Sequence, residues 1–318
     1  MAKRLEDRLA ELHALRAVLC DDPTSDEALD HLHHALSLKT NHLVAAGAKL
    51  VGEFEIITLE TNLVQAFERF MVNAEKTDKG CTAKTAIAEA LYRLDARQEA
   101  LFLCGIHHVQ LEPTYGGKED TAAPLRGICA LALVRLRYPH VMVELAHLLA
   151  DAEPDARIAA ARAIVSAQQE DAGAPLLHLK ILSGDENAQV RYECFLALLQ
   201  LAPTSSPDFV ADFLYDDDPT TCEAAALALG ESRLAAALDP LKATWEKTFD
   251  PDLRRTLLLA IAMLRHEAAI DFLVSLVTEA SPANAKDAIK ALDMYRRDRA
   301  IWQRVQTLID KRKDLDLA

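Results

Sequence analysis

The chain has 318 residues, 51% of them apolar and only 5% aromatic, and a formal net charge of −14. So large an excess of acid excludes general binding to nucleic acid or to an anionic membrane surface, and a chain poor in glycine and rich in alanine and leucine points to an all-helical protein. No apolar run reaches the length of a membrane span and the amino-terminal residues lack the apolar core of a signal peptide, so a cytoplasmic location is expected.

Residues 3–20 predict an amphipathic helix with Leu5, Leu9, Leu12, Leu15 and Leu19 along one face. With Pro23 as a breaker behind it, the segment 1–24 is expected to cap the first repeat. Helices over 26–38 and 41–53 follow. The first carries His31, His33 and His34. His31 and His34 share a face, but no carboxylate or cysteine completes a metal-binding pattern, so no metal is expected. One long helix is expected over 55–73, a loop over 74–81, a helix over 82–94 and another over 98–110. The adjacent His107 and His108 point in different directions on that last helix and are no joint ligand set.

Residues 111–123 are the least helical stretch, because Pro113 and Gly116-Gly117 break regular structure. An insertion of this kind on a rigid scaffold is a natural contact point, which makes Tyr115, Gly116, Gly117 and Lys118 loop candidates for meeting a partner. Lys118 after two glycines is no phosphate loop, since the G-x-x-x-x-G-K-[ST] spacing and a preceding strand are missing. From residue 122 helix pairs are expected over 122–150, 154–182, 187–215, 219–248, 251–278 and 282–311. The repeating part spans 25–312 and leaves 313–318 as a frayed tail. Six cysteines are scattered without a C-x-x-C, and Cys129, Cys194 and Cys222 fall in the repeat helices as small apolar residues.

A repeat underlies this pattern. Anchor positions fall at His42, Lys84, Arg126, Arg157, Arg191, Cys222, Arg254 and Ala285, spaced by 31 to 42 residues. Six residues after each anchor is an alanine: Ala48, Ala90, Ala132, Ala163, Ala197, Ala228, Ala260 and Ala291. The next residue is Leu or Ile in every repeat except the first, where Lys49 stands. A small column beside a large one describes a helix face pressed against neighbours. Six residues before the anchor, Asp78, Asp120, Asp151, Asp185 and Asp216 form another column. Their carboxylates are expected to accept backbone N–H groups of a turn and to pair with anchor cations of the same or a neighbouring repeat.

Two turns, Glu153-Pro154-Asp155-Ala156-Arg157 and Asp250-Pro251-Asp252-Leu253-Arg254, lead into Ala/Leu helices and resemble the HEAT-repeat family, and within it the phycobilin-lyase HEAT-like repeats. Asp218-Pro219 keeps the dipeptide but has Cys222 at the anchor. The resemblance covers roughly residues 40–300. It implies an all-α, right-handed α-solenoid of about eight HEAT-like helix pairs with terminal capping helices, and it implies that the helix after the Asp-Pro turn lines the concave face. On activity it is nearly silent, because such repeats serve many purposes.

On those helices the charges sum to a positive value although the whole chain is at −14. With the alanine column inward, positions one, five and nine after each anchor turn the other way. They supply the candidate protein-binding residues Arg93, Arg135, Arg162, Tyr192, Gln200, Arg255, Lys286 and Lys290, interspersed with Glu89, Glu223 and Glu231. The expected function is a non-enzymatic adaptor or assembly scaffold that holds a protein partner with acidic segments. It would have no catalytic residues, cofactor, nucleic acid or membrane, and the oligomeric state stays open. The alternative, implied by the resemblance, is a bilin lyase or isomerase acting on a carrier protein. A HEAT-like DNA glycosylase would need a basic groove with aromatics, whereas Trp245 and Trp302 fall on the opposite helices. A di-iron hydroxylase built on HEAT repeats needs several His-Glu dipeptides, and only His266-Glu267 occurs.

Overall fold

The computed structural model describes residues 2–312 and Leu315. The tail expected over 313–318 lies outside the described residues apart from Leu315, which is buried. The chain divides into two compact units, Met1–Ala167 and Gln168–Ala318.

In the first unit, α1 (Ala2–Asp21) packs on α2 (Asp26–Ser37) and α3 (Asn41–Glu53). Then come α4 (Glu60–Met71), the single turn α5 (Ala74–Thr77), α6 (Thr82–Arg93) and α7 (Glu99–Ile106). A hairpin of β1 (Leu111–Thr114) and β2 (Gly117–Asp120) leads into α8 (Ala123–Arg135), followed by α9 (Val141–Leu149) and α10 (Pro154–Ala167). The second unit runs through α11 (Glu170–Ser183), α12 (Ala188–Leu201), α13 (Pro207–Asp212), α14 (Pro219–Ser232), α15 (Leu238–Lys247), α16 (Pro251–Met263), α17 (Glu267–Glu279), α18 (Pro282–Leu292) and α19 (Arg299–Lys311). Each unit is a stack of helix pairs, and the fold is an all-α solenoid. Among the described residues no helix is long and apolar enough to cross a membrane.

The helices that begin near the anchors form a continuous row in each unit. In the first, α3 packs on α6, α6 on α8 and α8 on α10; in the second, α12 packs on α14, α14 on α16 and α16 on α18. Their starts follow from local chemistry. The side chains of Asn187, Asp218, Asp250 and Ser281 accept N–H groups of the first turns of α12, α14, α16 and α18. Proline occupies the first turn of α14, α16 and α18, where its missing N–H costs nothing. Most row helices end in a left-handed residue eleven to thirteen positions after the anchor, at Glu55, Asp95, Arg137, Gln168, Arg233 and Arg265.

That exit corrects one expectation. The helix foreseen over 55–73 does not start at 55, because Glu55 takes φ 51° and Ile56 N–H returns to the Val51 carbonyl at 3.0 Å. The chain passes through a 3-10 turn at Ile57–Leu59 before α4 begins. The helix foreseen over 98–110 likewise stops at Ile106, and the loop over 74–81 contains α5.

The repeat columns are the core. All eight column alanines are buried, and so are Leu91, Leu133, Ile164, Leu198, Leu229, Ile261 and Leu292 beside them, while Lys49 is exposed. Cys129, Cys194 and Cys222 are buried as well. Small residues let the row backbones approach closely. A Cβ on Gly230 would stand 2.5 Å from the Ala260 carbonyl oxygen and 2.7 Å from its Cα, and one on Gly52 would stand 2.8 Å from the Ala90 Cα. These contacts are with backbone, so a side chain can be admitted only by moving a helix. Gly230→Ala is therefore expected to lower stability by about 1–3 kcal/mol in urea unfolding, despite alanine's better helix propensity. An unchanged or higher midpoint would contradict the close α14–α16 contact.

Candidate functional site

The charged and polar candidates at positions one, five and nine after the anchors are solvent-facing, whereas Leu43, Val51 and Leu196 at equivalent positions are buried. Arg93, Arg135, Arg162, Gln200, Arg255, Lys286 and Lys290 are exposed and Tyr192 is half-buried. In the first unit they gather at the carboxyl ends of α6, α8 and α10. Arg93 pairs with Glu89 at 2.6 Å. Arg135 donates to the Tyr92 carbonyl at 2.6 Å and lays its guanidinium 3.7 Å from the centre of the Tyr92 ring. The stack fixes an arginine without neutralising it. Beside it is a groove of about 310 Å³ lined by Lys49, Gly52, Glu53, Glu89 and Arg93, with Gly52 contributing a floor of backbone.

In the second unit the same positions couple neighbouring helices. The Tyr192 hydroxyl donates to Glu231 across α12 and α14, and Arg255 pairs with Asp252 within α16. Lys286 and Lys290 lie on α18. The face also carries an apolar midline that a count of charges misses. The fifth-position residues include Leu227, half-buried, and Leu259, which is 41% exposed, with the half-buried Leu131 at the same position in the first unit, whereas Leu196 is buried. Met294 on the turn after α18 is exposed to a similar degree. The signal was available in the same sequence columns as leucine in place of charge.

The segment 111–123 is a β-hairpin rather than an irregular loop. Leu111 pairs with Asp120 and Thr114 with Gly117, which leaves Tyr115 and Gly116 as the turn. Gly116 takes φ 105°, a conformation that side chains rarely adopt. Tyr115 and Lys118 are exposed and touch nothing in the core. The hairpin sits at the amino end of α8 and Arg135 at its carboxyl end, so the loop candidates and the basic cluster are separated by about 20 Å of helix.

A buried polar network holds the hairpin's root. Lys84 and Asp78, both without solvent exposure, meet at 3.0 Å. Asp78 also accepts the N–H groups of Ala83 and Lys84 and the Asn41 amide. Lys84 gives a second bond to the Gln110 side chain at 2.8 Å. The Glu112 carboxylate accepts from the Gly80 N–H at 2.6 Å, from the Gln110 amide at 2.5 Å and from the Thr121 hydroxyl at 3.0 Å. Buried Arg126 donates to Asp120 at 2.7 Å, to the His108 carbonyl at 2.9 Å and to Asp151 of the next loop at 2.9 Å. The expected pairing of anchor cations with column aspartates of the same and of a neighbouring repeat is therefore present at Lys84 and Arg126. The chemistry is that of a structural clamp, with every carboxylate committed to donors.

His107 pairs with Glu144 at 2.9 Å, while its neighbour His108 turns to Gln110. His31 and His34 are exposed on α2 and line a cavity of about 330 Å³ with Arg8, Glu11 and Asp30. Among the described residues no group of three His, Cys, Asp or Glu side chains is placed to hold a metal ion.

A family profile for HEAT repeats matches residues 177–248, the stretch from within α11 to the end of α15. No curated protein matches the chain by sequence. Among solved structures, the complex of CpcE and CpcF of phycocyanin lyase from Nostoc sp. PCC7120 is 17% identical, over 89% of this chain and 93% of that chain, with a TM-score of 0.38. Human deoxyhypusine hydroxylase in complex with glycerol is 16% identical, over 92% of this chain and 91% of that chain, with a TM-score of 0.30. At those TM-scores neither likeness carries an argument about activity or about which residues act. The HEAT stretch contains the Tyr192–Glu231 bond, so this bond belongs to the repeat itself.

The clamp has a pH signature. Burial raises the Asp120 carboxyl, but the N–H groups of Gln110 and Ala122 and the Arg126 guanidinium outweigh it and hold the group below its ordinary value. Burial likewise raises Glu112, and the donors Gln110, Gly80 and Thr121 bring it below. A carboxyl lowered in the folded state contributes stability that is complete above its unfolded value and is lost as pH falls through the folded one. Melting temperature is expected to fall on acidification below about pH 4, with a shallower slope in Glu112→Gln/Asp120→Asn. An acid slope in that variant as steep as in wild type would contradict the assignment.

Proposed function

We propose that the protein is a non-enzymatic binding scaffold whose anchor-row face takes an acidic segment of a partner protein. One observation carries the reading. Arg135, on a chain whose net charge is −14, is held exposed over the Tyr92 ring, with its hydrogen bond going to a carbonyl rather than to a carboxylate. A cation fixed in this way keeps its charge and is preorganised for a carboxylate, which reduces the ordering cost of binding. Arg93, Arg162, Arg255, Lys286 and Lys290 extend the basic character along the same columns. Leu259 and the half-buried Leu131 and Leu227 at the fifth position offer apolar contact between the charges. Repeats of this kind present extended surfaces to partners, and the buried clamp commits its titratable groups to structure rather than to chemistry.

The test is a comparison of wild type with the quadruple variant Arg135→Glu, Arg162→Glu, Arg255→Glu and Lys290→Glu. Both are immobilised and exposed to nuclease-treated native lysate, after circular dichroism has established that the variant folds. A partner retained by wild type is expected to be lost from the variant, with affinity reduced at least about tenfold. The same partner held equally by a folded variant would remove the anchor-row face as the binding surface.

A further inference from the structure

The loops that enter the anchor row of the second unit carry side chains that neither the core nor the caps use. Phe249, before α16, is 92% exposed; Tyr215, before α14, is 56% exposed; Leu182, at the end of α11, is 68% exposed. Large apolar side chains standing together in water mark a surface that something covers. These three are placed along one edge. Lys247, two residues before Phe249, holds its ammonium 5.5 Å from the centre of the Tyr215 ring. Leu182 shares with Phe195, Phe213 and Asp216 the lining of a cavity of about 160 Å³, next to Tyr215 in sequence. The edge runs over the loops before α12, α14 and α16, with the recess between the first two.

The charge of this edge is opposite to that of the face described above. Asp216 and Asp250 use a carboxylate oxygen to accept N–H groups of their own loops, at 2.9 and 2.8 Å. Glu186 and Asp217 are exposed and make no hydrogen bond or ion pair among the described residues. They flank the recess from the loops before α12 and α14. The cations at the recess are already paired, Lys180 with Asp185 at 2.7 Å and Arg191 with Asp218 at 3.0 Å, so the uncommitted charge left beside the apolar side chains is that of Glu186 and Asp217, which favours a partner that brings cations with its apolar contact.

We propose that this loop edge of the second unit docks a basic segment of a partner protein. One apolar side chain seats among Leu182, Tyr215 and Phe249, and flanking lysine or arginine meets Glu186 and Asp217. The inference goes beyond the scaffold reading, because it uses another surface and the opposite charge.

The test uses the full chain and three synthetic peptides read by fluorescence anisotropy. One peptide alternates leucine and lysine pairs, a second has glutamate for each lysine, and a third has serine for each leucine. The leucine–lysine peptide is expected to bind at least about tenfold more tightly than either of the others. Tyr215→Ser/Phe249→Ser should weaken it by about tenfold, and Glu186→Lys/Asp217→Lys should do the same. All the substituted side chains are exposed, and the charge pair provides an independent arm if the Tyr215 variant folds poorly. Equal binding of the serine peptide would reduce the attraction to the chain's overall acidity and overturn the proposal. So would unchanged affinity in a folded Phe249→Ser protein. A concentration-dependent dimer in sedimentation that Phe249→Ser abolishes would overturn it too, by assigning the edge to a second copy.

Discussion

Six of the eight repeats, all but those anchored at His42 and Ala285, are closed by one interaction, a side chain at the head of a row helix reaching back six residues. Arg157 donates to the Asp151 carbonyl at 2.8 Å, Arg191 to the Asp185 carbonyl at 2.5 Å and Arg254 to the Thr248 carbonyl at 2.9 Å. Cys222 makes the same reach with its thiol, to the Asp216 carbonyl at 3.1 Å. The residue that receives the bond then folds its own side chain over the loop. Asp151, Asp185 and Asp216 each accept the N–H two positions later at 2.9 Å. Both ends of the loop are thereby pinned, and the cap and the first-turn proline follow in fixed register. In the first unit Lys84 and Arg126 go to the aspartate side chains instead, since Asp78 and Asp120 also organise the hairpin.

Fixed register is what brings alanine and glycine to the helix crossings. Once Gly52 lies on Ala90 and Gly230 on Ala260, the row backbones are nearly in contact. Side chains on the exposed side of successive helices must then lie close enough to bond, as Tyr192 does with Glu231 and Arg135 with Tyr92. A binding face of this kind is a consequence of tight packing beneath it. Its components sit on helices rather than on loops, so they are held in place before a partner arrives. The loop edge inherits its geometry from the same pins, which leave Phe249 and Tyr215 standing outward.

Much of this was legible in the sequence because it is local and repeated. The alanine and Leu/Ile columns, the aspartates six residues ahead of the anchors and the outward direction of Arg93, Arg135 and Lys290 all follow from spacing along single helices. What was missed is nonlocal or lacks a signature. Nothing near Glu112 announces that it accepts the Gly80 N–H, thirty-two residues away, so the hairpin read as a loop. The left-handed exits at Glu55, Asp95 and Arg137 use no glycine, which hid the break before α4. The leucines of the fifth position were passed over because a face judged by its charges is seen only in its charges.

Hydrogen exchange on the Arg191→Leu variant tests the closing interaction most directly. Arg191 ties its own loop to α12 and reaches Asp218 and Thr220 at the start of α14. If the reach-back closes this repeat, the amides of 187–190 and 218–221 lose protection while those within α16 and α18 keep theirs. Unaltered protection at those amides, or an equal loss throughout the second unit, would contradict it.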